Sequence, residues 1–144
     1  MNKEHYSDPT AETAIAAASV LPWSRTIPIE PRTKKNSQQI YRNKETGKSF
    51  ISTSSAYKAY LDAAGMFLGG KRLRRYAGPV QVQCMFYMGT ARRVDLVNLL
   101  ECIDDVLVHY GILADDNSGV IVSHDGSRVL IDRNHPRTEI YITE

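Results

Sequence analysis

Cysteine is scarce in this chain of 144 residues, where Cys84 and Cys102 are the two cysteines. Two cysteines are too few for a disulfide framework or a cysteine-based zinc site, so a reduced compartment is the simpler expectation. The chain also lacks any apolar run near the ~20 residues that a membrane-spanning helix needs. Its first residues combine mixed charges with a short alanine-rich stretch, which is a poor match to a secretory signal. We therefore expect a cytoplasmic protein.

The composition is that of an ordinary globular domain. Hydrophobic residues make up 42% of the chain and charged residues 24%, close to the averages for globular proteins. The length corresponds to about one domain. We expect residues 1–20 to form a flexible N-terminal arm and residues 21–144 to form a single folded domain.

The net charge of +2 conceals two opposed blocks along the sequence. Residues 24–93 hold 14 Lys and Arg against three acids, whereas residues 94–144 hold three Arg against ten acids. Such asymmetry suggests a surface for a polyanion next to an acidic centre. Charge runs are also common on solvated faces, so charge alone leaves a nucleic-acid partner and a solvated surface equally open.

Several short strands are predicted by apolar and polar alternation. One begins at Trp23 in WSRTIPIEP, two more lie at 39–42 and 49–53 on either side of the turn ETG, and another, VQVQCMFYM, follows Pro79. The C-terminal tail, 120–143, is predicted to be a hairpin of two strands, or of two strands and an extra short one.

Two main helices are predicted between these strands. Ser54 or Ser55 can cap the helix AYKAYLDAAGMFL, which ends near Gly69. A second helix is predicted from Asp95 to Tyr110, because its apolar residues fall within an arc of about 120°. These elements indicate an α/β (α+β) fold with a mixed sheet packed against two main helices.

The second helix carries acids on the side opposite its apolar stripe. Glu101 and Asp105 are a like-charge pair at i,i+4, which costs an isolated helix about 0.2–0.5 kcal/mol. Asp95 stands at the helix start, where a carboxylate can serve as N-cap. Further along, Asp115 and Asp116 precede Asn117, a composition typical of a solvated turn. Alternatively they fold back beside Asp95, since Mg²⁺ takes one or two carboxylates together with substrate phosphates.

The run RRVDLVNLLECIDDVLVHYGILADDN resembles the core motif of the RusA family of Holliday junction resolvases. In that motif a basic stretch precedes an Asp-x-Asp-Asn helix start, and an Asp-Asp pair lies about twenty residues on. The flanking segments PRTKKNSQQIYRN, FISTSSAYKAY, SHDGSRVLID and PRTEIYIT are also similar to the family, so the resemblance covers residues 22–143.

The resemblance implies a small homodimer that binds four-way DNA junctions and, with Mg²⁺ or with Mn²⁺ as the alternative ion, makes paired nicks in recombination or repair. It places Asp95 on the family's first catalytic Asp, Asn98 on its Asn, Asp105 on a helix Asp, and Asp115 and Asp116 on the Asp pair, whose second member is catalytic. A phage or prophage origin in a bacterial host is expected, because DLVN resembles a phage-type branch.

Two positions depart from the family pattern. Val97 stands where the second catalytic Asp is expected, and Glu101 stands where the family has a Lys. Along a helix Asp95 and Glu101 are about 9 Å apart, whereas Asp95 and Asp105 are about 15 Å apart. We therefore expect Asp95, Glu101 and Asp116 to be catalytic. The expected metal ligands are Asp95, Glu101, Asp105, Asp115 and Asp116.

The basic block would neutralise DNA phosphates, an attraction that is independent of sequence. KRLRR can instead be a basic run that follows a helix and interacts with its dipole. Tyrosines such as Tyr41, Tyr57, Tyr60 and Tyr76 can stack on unpaired bases or belong to the core. The expected DNA contacts are Lys34, Lys35, Asn36, Lys71, Arg72, Arg74, Arg75, Arg92, Arg93 and Asn98.

Two other functions stay open at this point. A DNA-binding module could have kept the fold and the basic surface while losing cutting when valine replaced the acid at position 97. A metal-dependent nuclease could also act on other branched or flap DNA. The four histidines have no paired metal-ligand spacing.

Overall fold

A computed structural model of the chain describes residues 23–34, 38–53, 55–69 and 75–144. The predicted arm at 1–20 lies outside the described residues. In the described ranges, no helix has the length and apolarity needed to span a membrane. The elements are, in chain order, β1 (Trp23–Ile27), β2 (Gln38–Arg42), β3 (Ser49–Thr53), α1 (Ser55–Leu68), β4 (Val80–Met88), α2 (Leu96–His109), β5 (Ile121–Ser123), β6 (Arg128–Ile131) and β7 (Arg137–Thr143).

A five-stranded mixed sheet forms the centre of the molecule. Strand β7 lies between β1 and β4 and is antiparallel to both. On its other side, β4 pairs in parallel with β5 near its beginning and with β6 near its end. The predicted small α/β domain, with a mixed sheet and two main helices, is confirmed.

The predicted C-terminal hairpin is wrong. The tail forms three strands, but β6 and β7 pair with opposite sides of β4 rather than with each other. The physical reason is burial: Thr138, Ile140 and Ile142 of β7 alternate inward and are nearly inaccessible to solvent. Only a position between two other strands supplies that cover, so the tail crosses the sheet instead of turning back on itself.

One face of the sheet carries the core. Alternate residues of β4, from Val80 to Met88, are buried, and the residues between them are half-buried. The helices complete the core with Tyr57, Tyr60, Ala64 and Leu68 from α1, and Leu99, Cys102, Ile103, Val106 and Leu107 from α2. Most of the apolar stripe predicted for α2 therefore faces the sheet.

A glycine brings the two helices close together. A Cβ atom at Gly65 of α1 would lie 2.5 Å from the ring of Tyr110, the C-cap of α2. The Tyr110 hydroxyl donates a hydrogen bond to the Leu61 carbonyl. Because a side chain at position 65 would displace that ring, glycine permits the contact that fixes the end of α2 against α1.

Strands β4 and β5 are joined by a crossover through α2. Since the two strands are parallel, α2 must carry the chain back along β4 before β5 begins. Val80 donates its backbone N–H to the carbonyl of Val120, so the loop after α2 ends beside the beginning of β4. Residues just before α2 and residues just after it consequently lie at opposite ends of β4.

His124 attaches the segment after β5 to α2. Its Nδ1 lies 2.8 Å from the Val82 carbonyl oxygen and its Nε2 lies 2.9 Å from Oδ2 of Asp104. Both partners accept hydrogen bonds, so the doubly protonated imidazolium satisfies both. The bond with Asp104 raises the pKa of His124 above its ordinary value, although burial opposes the rise.

We expect the stability contributed by this pair to depend on pH. The folded-state pKa of His124 is raised, so the contribution is complete below the ordinary histidine pKa of about 6.5 and is lost as the pH rises through the folded-state value. Asp104→Asn should lower the free energy of unfolding by ~1–3 kcal/mol at about pH 6, and by less at about pH 9.

Urea denaturation at the two pH values measures this difference. Asp125→Asn, at an exposed residue next to His124, is the matched control and should leave stability unchanged at both. A destabilisation by Asp104→Asn that is the same at both pH values would contradict the role given to the imidazolium.

Candidate functional site

Asp95 is the N-cap of α2, as the sequence predicts. Its backbone is extended, and its Oδ1 accepts hydrogen bonds from the backbone N–H groups of Val97 at 2.9 Å and Asn98 at 3.4 Å. The residue is exposed. One carboxylate oxygen thus holds the helix start, where the helix dipole favours negative charge. Asn98, an expected DNA contact, is half-buried in the first turn.

An arginine pocket of about 270 Å³ lies at the same end of α2. Three of its lining side chains are cationic, namely Arg32 from the loop after β1 and Arg92 and Arg93 from the loop before α2. Thr90 also lines it. The acid in its lining is Glu30, whose carboxylate accepts the Gly89 N–H at 2.8 Å. With three arginines against one glutamate among its lining residues, the arginine pocket is suited to an anion.

Glu30 and Arg32 are site residues that the sequence did not reveal. They lie about sixty positions before Arg92 and Arg93, and the pairing of β1 and β4 on either side of β7 brings the two loops to one end of the sheet. The signal available in the sequence was that Glu30 and Arg32 lie in the proline-containing loop soon after β1, since loops at strand ends often carry functional residues.

Lys34, an expected DNA contact, bonds to the acidic side of α2. Its Nζ lies 2.8 Å from Oδ2 of Asp105, and its side chain is 38% exposed. This bond raises the pKa of Lys34, with a further contribution from the charge of Glu101. Glu101 and Asp105 therefore share one side of the helix, as their spacing predicts, and Asp105 is tied to a cation.

Asp115 and Asp116 form an exposed turn. The two oxygens of Asp115 accept hydrogen bonds from the Asp116 N–H at 2.8 Å and from the Asn117 side-chain amide at 2.7 Å. These bonds lower the pKa of Asp115. Burial is the first cause of the raised pKa of Asp104, and the charge of Asp116 contributes to it. Asp116 therefore lies near the C-terminal half of α2. Asp115 thus has the geometry of a turn residue.

Asp95 and Asp116 lie toward different ends of α2. Asp95 caps the helix start, which comes after β4, whereas the Asp115–Asp116 turn precedes β5, which begins beside Val80. The charge of Asp116 acts on Asp104, nine positions after Asp95, or about 14 Å along the helix at ~1.5 Å per residue. That the pair meets Asp95 in one metal site stays a prediction.

No cluster of three or more His, Cys, Asp or Glu side chains that could hold a metal ion occurs in the described part of the chain. Asp95 follows the pocket-lining residues Arg92, Arg93 and Val94 in the chain. The predicted metal ligands stay predictions.

The other expected DNA contacts are distributed as follows. Arg92 and Arg93 are exposed beside Asp95, and Arg75 is exposed between α1 and β4. Lys35, Asn36, Lys71, Arg72 and Arg74 lie outside the described residues. Among the tyrosines, Tyr57, Tyr60 and Tyr76 belong to the core, whereas Tyr41 is 45% exposed.

Comparison of this sequence with protein-family models and with curated proteins finds no match. The resemblance to the RusA family therefore stays a prediction that rests on the motif residues.

We expect substitutions to separate two properties of Asp95, the hydrogen bonds of its side chain at the helix start and its negative charge. Asp95→Ala removes the cap and should lower the free energy of unfolding by ~0.5–2 kcal/mol. Asp95→Asn keeps an oxygen that accepts hydrogen bonds from the same N–H groups. It should change the free energy of unfolding by a few tenths of a kcal/mol at most. Thermal or urea unfolding of both variants measures the difference, and equal destabilisation would show that charge rather than capping holds the helix start.

Proposed function

We propose that this protein is a Mg²⁺-dependent, structure-specific endodeoxyribonuclease that resolves four-way DNA junctions by paired nicks. The observation that carries the proposal is the arginine pocket, whose lining residues Arg92, Arg93 and Val94 lead directly into Asp95, the exposed N-cap of α2. Cationic groups that hold a phosphate, adjacent to a carboxylate that can bind a divalent ion, are the parts that phosphodiester hydrolysis requires.

The arginine pocket is suited to the DNA backbone rather than to bases. Its cations come from two loops, so a phosphate can be approached from two sides by Arg32 and by Arg92 or Arg93. Arginine binds phosphate oxygens through paired N–H groups in a planar geometry. Contacts of this kind position a protein on DNA without reading sequence, which is appropriate for an enzyme that recognises the shape of a branch.

A second copy of the chain is the source we propose for the remaining carboxylates. In a two-fold dimer, a contact between the Asp95 end of one protomer and the Asp116 end of its partner is necessarily repeated at a second, symmetric position. Each of the two sites would then combine Asp95 of one protomer with Asp116 of the partner subunit. Two equivalent sites also match the two strands that paired nicking must cut.

Glu101 and Asp115 are the additional oxygen donors in this proposal. Asp105 is a weaker candidate, because Lys34 already holds its carboxylate. Bound Mg²⁺ would supply a water of lowered pKa and stabilise the leaving oxygen. The chain's own contribution is to hold the phosphate with its arginines and to orient Asp95 through the helix start.

We expect Asp95→Asn and Asp116→Asn each to slow Mg²⁺-dependent nicking of a synthetic four-way junction by about two orders of magnitude or more. If the sites are shared between protomers, exchanging subunits between the two variants must restore activity. A mixed dimer has one site with both substitutions and one site with neither. Because about half of the dimers in an equal mixture are mixed and each has one intact site of two, about a quarter of the wild-type nicking should return.

The control mixes Asp95→Asn with the double variant Asp95→Asn, Asp116→Asn, in which no complete site can form. Recovery of activity in the first mixture but not in this one supports the shared site. If neither mixture recovers activity although both single variants are inactive, the two carboxylates do not act in one shared site.

Neutralising the arginine pocket should change the salt dependence of DNA binding. Arg92→Gln together with Arg93→Gln should flatten the slope of log affinity against log salt by about two, since each neutralised phosphate contributes about 0.9. Fluorescence anisotropy over a range of NaCl concentrations measures the slope. Arg133→Gln, at an exposed arginine between β6 and β7, is the matched control, and equal slopes in all proteins would place the phosphates elsewhere.

A junction-binding protein that does not cut is the second candidate function. Val97, which stands at the position of the second catalytic Asp in the RusA motif, is 67% exposed and offers no ligand beside Asp95. The separation of Asp95 from Asp116 in one chain favours the same alternative. Tight junction binding by the wild-type protein without nicking, in Mg²⁺ or Mn²⁺, would establish this function in place of the nuclease. Cutting of flaps or forks in preference to junctions would instead redefine the substrate.

A further inference from the structure

Strands β2 and β3 form a two-stranded antiparallel ribbon separate from the main sheet. Apolar side chains are exposed on both faces of this ribbon. Ile40 is 77% exposed, while Tyr41 and Phe50, which are directly opposite each other in the pairing, are 45% and 52% exposed on the other face. Since successive residues of a strand alternate between faces, these described side chains leave neither face buried in the core.

The tip of the ribbon is ordered by its own hydrogen bonds. Asn43 accepts the N–H groups of Glu45 and Thr46 through its side chain, and its backbone N–H donates to the Lys48 carbonyl at 2.9 Å. Gly47 has a φ of +69°, a conformation that glycine adopts readily. The ribbon is thus a formed arm whose turn does not depend on the core.

Tyr41 and Phe50 present their rings together. The ring centroids are 5.8 Å apart and the planes differ by 22°, an offset-stacked arrangement. The two rings form one aromatic patch at the surface, and the exposure of apolar area is costly in water. An aromatic partner can extend the stack, whereas a branched aliphatic side chain cannot.

The charge around the two rings indicates the chemistry of their partner. Arg42, Lys44 and Lys48 are exposed on the ribbon against one acid, Glu45. Cations beside exposed aromatic rings are the combination that binds single-stranded or unstacked nucleic acid, where bases stack on the rings and phosphates meet the cations.

We propose that the β2–β3 ribbon is a stacking arm that places Tyr41 and Phe50 against bases unstacked at the branch point of DNA. This inference rests on the proposed function, because it requires that the protein bind branched DNA. It goes further by naming the element that distinguishes a branch from a continuous duplex. The arginine pocket holds phosphates in either form of DNA, whereas exposed base faces occur where stacking is interrupted.

The test compares the affinity for a four-way junction with that for a duplex of the same length, both measured without divalent ions. The variant Tyr41→Leu, Phe50→Leu keeps apolar volume but removes the rings. It should weaken junction binding by roughly ten- to a hundredfold, the range that loss of base stacking produces, and leave duplex binding nearly unchanged.

Two controls accompany the leucine variant. Tyr41→Phe, Phe50→Tyr retains both rings and should bind the junction like the wild type. Val122→Ala removes an exposed apolar side chain, 58% accessible, from β5 in the main sheet, and should also have no effect. Because the substituted residues are exposed, circular dichroism should show an unchanged fold in every variant.

A second measurement reports stacking directly. The emission of an indole introduced by Tyr41→Trp, in a Trp23→Phe background, should be quenched by the junction and much less by the duplex. The stacking arm would be overturned if the leucine variant bound the junction as tightly as the wild type does. It would also be overturned if the variant lost junction affinity and duplex affinity to the same extent.

Failure of this inference is distinguishable from failure of the proposed function. If the leucine variant nicks junctions normally and keeps its preference for them, the stacking role is refuted and the proposed nuclease function stands. Ring-dependent junction preference without any nicking would keep the arm and remove the cutting. A wild-type protein that binds no DNA would overturn both, and the ribbon would then be an interface for another macromolecule.

Discussion

The parallel crossover from β4 through α2 to β5 is the constraint on which the rest of the structure depends. Two adjacent parallel strands cannot be joined by a tight turn, so the connecting helix must run back along β4. The helix therefore has its beginning at one end of the sheet and its end at the other. Asp95 and the arginine pocket share the first end, and the Asp115–Asp116 turn occupies the second. The two acidic features of the RusA-like motif are therefore placed toward different ends of one helix.

The acids of α2 show how folding uses charges that look alike in the sequence. Asp95 accepts two backbone N–H groups, Asp104 bonds His124, and Asp105 bonds Lys34. The first contact holds the helix start, the second holds the segment after β5, and the third holds the loop after β1. These contacts use carboxylate oxygens that would otherwise be available to a metal ion.

Much of the fold could be predicted because its signals are local. The alternation in β4 and the apolar stripe of α2 each specify one buried face, and Asp95 is an N-cap that needs only its own helix. The pairing of β7 could not be predicted in this way. Its alternation is equally compatible with an edge strand beside β6, and only the competition for burial next to β4 places it between β1 and β4. The same holds for Glu30 and Arg32, whose neighbours at the site are distant in the chain.

The sequence by itself determined the helix start at Asp95, the basic loop before it, and the turn at Asp115 and Asp116, because each follows from the chemistry of residues within a few positions. Only the tertiary structure decided which of these features meet. It brought Arg32 to the loop before Asp95, tied Asp105 to Lys34 and placed the Asp115–Asp116 turn toward the other end of α2. The physical reason is that distances across the molecule are set by strand direction and by the length of α2, which no local pattern encodes.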